Sequence, residues 1–139
     1  MTDTVILCVD DDEVVLESIK EQLKRKFGNK YLYEVADSAE EGWEIIEELS
    51  LENLQIVIVV SDWLMPEMKG DEFLIKVHQK FPGVTNIMLT GQADESAVER
   101  AKKDANLFYC LQKPWSEAEL TDVLTSALEM YEPPSDPLR

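Results

Sequence analysis

Five consecutive β-branched residues, Ile56 to Val60, lie inside the apolar run Leu54–Val60 (LQIVIVV). No other feature limits the fold as strongly. Such side chains lose rotamer freedom in a helix, and this run has no polar face to show to water. It predicts a central strand covered on both faces, the normal condition of a parallel sheet. Four further short apolar runs accompany it, at Thr4–Val9, Tyr31–Val35, Asn86–Thr90 and Leu107–Leu111.

Helical patterns fill the gaps between these runs. Val15, Leu16, Ile19, Leu23 and Phe27 recur at helical spacing, and Gly28-Asn29 is a stop signal. Ser38 and Glu41 form a capping box for a second helix that is expected to bury Trp43, Ile46 and Leu49. A third runs through Phe73, Leu74, Val77 and Phe81 and closes at Pro82-Gly83. A fourth, roughly Glu95 to Asp104, is apolar only at Ala97, Val98 and Ala101, with Ala105 just beyond, and is expected to be the weakest. The last starts at a second capping box, Ser116 and Glu119, with Trp115 and Leu120 as its hydrophobic staple. Its stripe is Leu120, Val123, Leu124, Ala127, Leu128 and Tyr131. The 139 residues fit one domain, residues 1–131, followed by a proline-containing linker or tail, 132–139.

Strand and helix alternate five times, which predicts an α/β fold: a flavodoxin-like, doubly wound, five-stranded parallel sheet of order 2-1-3-4-5 with five helices. In such sheets the working site lies beyond the carboxyl ends of the strands, where the order reverses between the first and third. Asp10-Asp11-Asp12 ends the first strand, Ser61-Asp62 the third, Thr90-Gly91 the fourth and Lys113-Pro114 the fifth. Two carboxylates about 4 Å apart repel by roughly 4 kcal/mol at an effective dielectric near 20. Acids gathered in one crevice therefore need a compensating charge, and Mg²⁺ with a few carboxylates supplies it. Asp12 suits a cap on the first helix better than a ligand. Asp62 either starts a turn or acts as a nucleophile towards a phosphoryl group. In the second case Lys113 offers a point charge, and Thr90 a hydroxyl donor, to the phosphoryl oxygens.

Composition narrows the field of partners. Twenty-nine acidic residues against 13 basic ones leave a net charge of −16. Binding to nucleic acid or an anionic membrane needs the opposite sign. Cys8 and Cys110 sit in apolar runs with no zinc-type spacing around them, as reduced thiols in a cytoplasmic protein would. The N-terminus lacks the basic region of a signal peptide, and no apolar run reaches the length of a membrane span. His78 reads as a solvated surface imidazole, Trp63 as a partly exposed rim residue that is either a partner contact or a simple lid, and Glu40, Glu41, Glu44, Glu47 and Glu48 as a solvated helix face.

Four segments, each at a predicted strand end, carry a family resemblance: VDDD (Val9–Asp12), SDWLMPEMKG (Ser61–Gly70), MLTGQAD (Met88–Asp94) and LQKPW (Leu111–Trp115). Over about residues 4–131 the chain resembles the CheY-like receiver domains of two-component response regulators. The resemblance implies that Asp62 is the phosphoacceptor, and that Asp10, Asp11, Asp62 and the backbone carbonyl of Leu64 hold Mg²⁺. It makes Thr90 the switch hydroxyl and Lys113 the conserved-type ammonium, with Lys113-Pro114 cis and Pro66 and Gly70 shaping the loop after Asp62. Leu64 and Gln92 take positions that influence acyl-phosphate lifetime. A sensor histidine kinase or phosphotransfer protein is the implied donor, and an output domain or downstream protein the implied reader. A second copy is a further implied partner, through the face of the fourth helix, fifth strand and fifth helix. No enzymatic turnover is implied beyond self-catalysed phosphoryl uptake and slow loss.

One position departs from the pattern. Receivers usually carry Tyr or Phe three residues before the lysine, and here that residue is Cys110. Strand alternation turns Phe108 and Tyr109 away from its place. The competing reading is therefore a degenerate receiver, acting by protein interaction without phosphorylation. A metal-dependent aspartyl-phosphate hydrolase fits less well, because Leu64 stands where such enzymes place a second acid. A flavin carrier fits poorly too, since three aspartates replace its phosphate-binding loop.

Overall fold

The computed structural model describes residues 3–91 and 95–130, so Gln92, Tyr131 and the tail 132–139 lie outside the described residues. The elements are β1 (Thr4–Val9), α1 (Glu13–Phe27), β2 (Leu32–Ala36), α2 (Ala39–Leu51), β3 (Gln55–Asp62), α3 (Gly70–Lys80), β4 (Thr85–Thr90), α4 (Glu95–Asp104), β5 (Leu107–Gln112) and α5 (Glu117–Met130). All neighbouring strands are parallel, in the order β2-β1-β3-β4-β5 that the sequence predicts.

Side-chain alternation along the strands builds two cores, one on each face of the sheet. Ile6, Cys8, Ile58, Val60, Ile87 and Leu89 pack against α1 and α5 through Leu16, Ile19, Leu23, Leu120 and Leu124. Leu7, Val9, Val59 and Met88 point the other way, to Ala39 and Ile46 of α2, Phe73, Leu74 and Val77 of α3, and Ala101 of α4. As expected, α4 presents the least: within the helix only Ala97 and Ala101 are fully buried. Fully buried Asn86 ties β4 to the neighbouring helices. Its amide donates to the carbonyls of Leu74 (3.3 Å) and Ala105 (3.0 Å).

The caps form where the sequence places them. Ser38 Oγ accepts from the Glu41 N–H (3.1 Å) and Ser116 Oγ from the Glu119 N–H (3.1 Å). The return arm of the first box lands one residue early, since Glu41 accepts from the Asp37 N–H (2.8 Å). Trp115 packs on the α1–α5 core, and its indole N–H donates to Gln22 (3.2 Å).

The structure corrects several expectations. β2 starts one residue late, at Leu32. β3 runs two residues past Val60, because pairing with β4 continues to Asp62↔Leu89. Trp43 and Leu49 are half-buried, and the closest packing under α2 is by Ala39, Gly42 and Ile46. His78 is only partly solvated: it is half-buried, and its Nδ1 is buried without a partner. A register shift between Asn86 and Ile87 breaks the alternation of β5. Leu107 and Cys110 therefore face the α2–α3–α4 core, while Phe108 faces the other. The expectation that alternation turns Phe108 away is corrected: alternation alone puts residues 108 and 110 on one face, and the register shift separates them, while Tyr109 is solvent-exposed.

Burial pushes the Cys8 thiol up to about 12, helped by the negative charge of Asp10, and burial raises Cys110 as well. Both thiols should resist alkylation in the native state at pH 8, since the thiolate is the nucleophile. Cys8 should react only on unfolding. Rapid labelling of native Cys8 would contradict this packing.

Candidate functional site

Four polar side chains meet at the carboxyl edge of the sheet, each delivered by the end of a strand, and Thr90 stands at the same edge. Asp10 directly follows β1 and is fully buried. One of its oxygens accepts from the Asp12 N–H (2.9 Å), and the other from Lys113 Nζ (3.0 Å). Asp62 closes β3, and its carboxylate lies 3.1 Å from the same ammonium. Lys113, just past β5, thus joins the two buried acids across the sheet. Asp11 is exposed at the mouth. Oxygens of Asp10, Asp11 and Asp62 all lie within 4.8 Å of one another. Asp12 is turned to the helix, where its carboxylate accepts from the Val14 N–H (2.9 Å) as the N-cap.

The electrostatics follow from this crowding. Burial raises the Asp62 carboxyl above its ordinary value, and the charge of Asp10 adds to the rise; the Lys113 ammonium pulls the other way and loses. For Lys113 burial is the largest single influence and lowers it, but the hydrogen bonds to Asp10 and Asp62 and their negative charges together outweigh that, so it stays charged. One cation therefore serves two buried anions with a third acid nearby. The arrangement is short of positive charge and rich in oxygen, the donor set that a hard divalent cation takes.

Thr90, the last residue of β4, is buried, and its hydroxyl has no partner. A buried hydroxyl left unpaired costs free energy unless a ligand engages it. Together, the oxygen cluster and the idle donor fit a site for Mg²⁺ and a phosphoryl group. Lys113-Pro114 is cis. The Leu64 side chain is exposed in the loop after Asp62.

The loop is clamped at both ends. The Trp63 N–H donates to the Leu89 carbonyl (2.8 Å), and its carbonyl accepts from the Gly70 N–H (2.7 Å). A Cβ on Gly70 would stand 2.0 Å from the Asp62 carbonyl oxygen, so the closure tolerates no side chain there. Trp63 is partly exposed, as expected, and its indole also donates to Asp71 (3.1 Å).

Asp71 and Arg100 belong to this neighbourhood and were not singled out from the sequence. Fully buried Asp71 accepts from Trp63 through one oxygen and from Arg100 Nε (3.1 Å) and Nη2 (2.6 Å) through the other. Asp71 looks like an ordinary acid in the first turn of a helix, and Arg100 lies 29 positions away. No local signal pairs them.

Comparison with known proteins gives consistent results. The response regulator receiver domain family matches residues 6–125. The chain is 33% identical over 126 residues to the sensor kinase CckA of Brucella abortus, a match covering 91% of this chain and 12% of the kinase. It is 30% identical over 125 residues to the chemotaxis protein CheY homolog of Campylobacter jejuni, covering 88% of this chain and 91% of that protein. The crystal structure of the signal receiver domain of an HD domain-containing protein from Pseudomonas fluorescens Pf-5 superposes with a TM-score of 0.80 at 30% identity. That superposition covers 91% of this chain and 94% of the other.

Proposed function

The chain belongs to the response regulator receiver domain family, and on that premise we propose that it is a phosphoacceptor switch with Asp62 as the acceptor. Receivers are signalling switches and not turnover enzymes. A sensor histidine kinase or phosphotransfer protein presents a phosphohistidine to the crevice. A carboxylate oxygen of Asp62 forms the new bond to phosphorus, the bond to the donor nitrogen breaks, and the imidazole leaves with the electron pair. Water later reverses the modification at Asp62, slowly and without a second enzyme.

The observation that carries this reading is the convergence of one ammonium on two buried carboxylates, beside a buried hydroxyl with nothing to bond. Lys113 is in reach of the phosphoryl oxygens once they arrive at Asp62, and Thr90 is their hydroxyl donor. Asp10, Asp11, Asp62 and the Leu64 carbonyl would hold Mg²⁺. When bound it neutralises charge on the phosphoryl oxygens and lets three acids share one crevice. The domain is residues 1–131, with 132–139 as linker or tail. Its α4–β5–α5 face is offered to an output domain, a downstream protein or a second copy. The reading implies a cytoplasmic protein, since the phosphoryl group begins on kinases fed by intracellular ATP. Among the described residues no helix is long and apolar enough to cross a membrane.

Incubation with a small phosphodonor and Mg²⁺ should add one phosphoryl group per chain. Absence of uptake from both small donors and phosphohistidine donors would favour the degenerate receiver, the reading that Cys110 supports. Mg²⁺ alone should stabilise the fold by about 1.4 kcal/mol at ten times its dissociation constant, read as a rise in Tm. Asp11→Asn should blunt that rise. A Tm indifferent to millimolar Mg²⁺ would remove the metal from the proposal.

A further inference from the structure

We infer that Asp71 and Arg100 form a latch, anchored beside the acceptor by Trp63, that holds α4 in place and makes its position depend on the state of Asp62, a coupling otherwise left without the aromatic side chain missing at position 110. The inference deepens the phosphoacceptor reading and rests on it.

The latch begins beside the acceptor. Trp63 follows Asp62 directly, and its peptide is fixed to β4 at Leu89 and to the start of α3 at Gly70. Its indole N–H reaches Asp71 (3.1 Å). The Asp71 carboxylate is fully buried, and its second oxygen is held by the guanidinium of Arg100, half-exposed on α4. Residues 62, 63, 71 and 100 therefore form one connected path from the acceptor to α4. A buried carboxylate needs its counter-charge, so this ion pair is demanding in a way that surface pairs are not.

The rest of α4 makes the latch decisive. Two alanines are its only fully buried residues, so little apolar area fixes its position. Its far end is tied down through the Ala105 carbonyl, which accepts from Asn86. Arg100, near the middle of the helix, is the attachment that can give way. Here Lys113 pairs with Asp62, and the Thr90 hydroxyl has no partner. Drawing Thr90 towards a phosphoryl group on Asp62 displaces the end of β4 that leads into α4. Asp71 stays with α3, because the Gly70–Trp63 clamp holds it there. The pair is stretched, so the latch opposes phosphorylation. Coupling is reciprocal: whatever frees α4 must tighten binding at Asp62.

The test uses beryllofluoride with Mg²⁺ as the phosphoryl mimic, on the whole chain and on the variants Arg100→Met and Asp71→Asn. Calorimetric titration reads affinity, and hydrogen exchange of the α4 amides reads the helix. In the wild type, the mimic should change α4 exchange by roughly five-fold or more. In Arg100→Met, α4 should exchange at the fast rate with or without the mimic, and the mimic should bind roughly five-fold tighter. Asp71→Asn keeps an acceptor for the indole, loses the charge, and should behave alike. Arg100→Lys should restore part of the α4 response, and Cys110→Ala should leave it intact. A merely structural role would lower Tm without tightening the mimic. Unchanged or weaker binding in Arg100→Met, or an α4 response that persists at full size, overturns the latch and leaves the acceptor reading standing. No binding of the mimic to the wild type overturns both.

Discussion

Asp62→Asn is expected to abolish phosphoryl uptake completely while giving a folded protein that is more heat-stable than the wild type. The loss is total because an amide oxygen is a far weaker nucleophile than a carboxylate, and no other buried acid in the crevice has the same setting. Asp10 has one oxygen on the Asp12 N–H and the other on Lys113. Asp11 is solvated at the mouth. Mass spectrometry after incubation with a small phosphodonor and Mg²⁺ should show one added phosphate in the wild type and none in the variant. Label that persists in Asp62→Asn would reject the acceptor assignment.

The rise in stability follows from the direction of the Asp62 shift. Burial, with the charge of Asp10, holds its carboxyl above the ordinary value. The folded state therefore binds this proton more tightly than the unfolded chain does. That contribution favours folding at pH values below the ordinary carboxylate range and is lost as pH rises through the folded value. At neutral pH the ionised side chain costs stability, and Asn removes the cost. Lys113 keeps Asp10 as a partner in the variant, so its own raised value survives in part. Thermal denaturation should show the variant ahead at pH 7.5, with the gap closing as pH falls towards 4. A variant less stable than the wild type at neutral pH would mean that Lys113 gains more from Asp62 than the two acids lose by repulsion.

Gly70→Ala is expected to be the most destabilising single methyl in the chain. The added Cβ would lie 2.0 Å from the Asp62 carbonyl oxygen and 2.9 Å from the Trp63 Cα, both backbone atoms that cannot rotate away. Either the loop opens, losing the 2.7 Å Gly70–Trp63 hydrogen bond, or the end of β3 shifts. Overpacking that forces backbone movement costs about 3 kcal/mol or more, and this one also moves the acceptor. Urea denaturation should show the midpoint fall, and any folded fraction should take up phosphate slowly. Gly83→Ala is the control, because nothing lies within 4 Å of its added carbon. Equal effects at the two positions would show that the close approach is not what constrains residue 70.

Much of the molecule was legible before any coordinates. The β-branched run ending at Val60 marks the central strand, since a sequence with no polar face can only be covered on both sides. Ser38 and Ser116 announce helix starts through a local hydrogen bond. Strand-to-helix alternation fixes a parallel sheet, and its handedness rule brings the carboxyl ends together. Asp10, Asp62, Thr90 and Lys113 could therefore be named as neighbours from their places after strands alone.

What the sequence could not show depends on through-space accidents of packing. The bulge that turns Cys110 away from Phe108 arises from pairing between β4 and β5, and strand alternation predicts the opposite. The partly buried His78, the close approach at Gly70 and the indole–carboxylate–guanidinium chain each join residues whose local patterns are unremarkable. Period and capping are local, because they come from the backbone repeat and from bonds a few residues long. Pairing across elements exists only once helices settle into their final places on the sheet. The order of elements and the makeup of the acidic crevice were thus written in the chain, and how that crevice connects to α4 was decided by the fold.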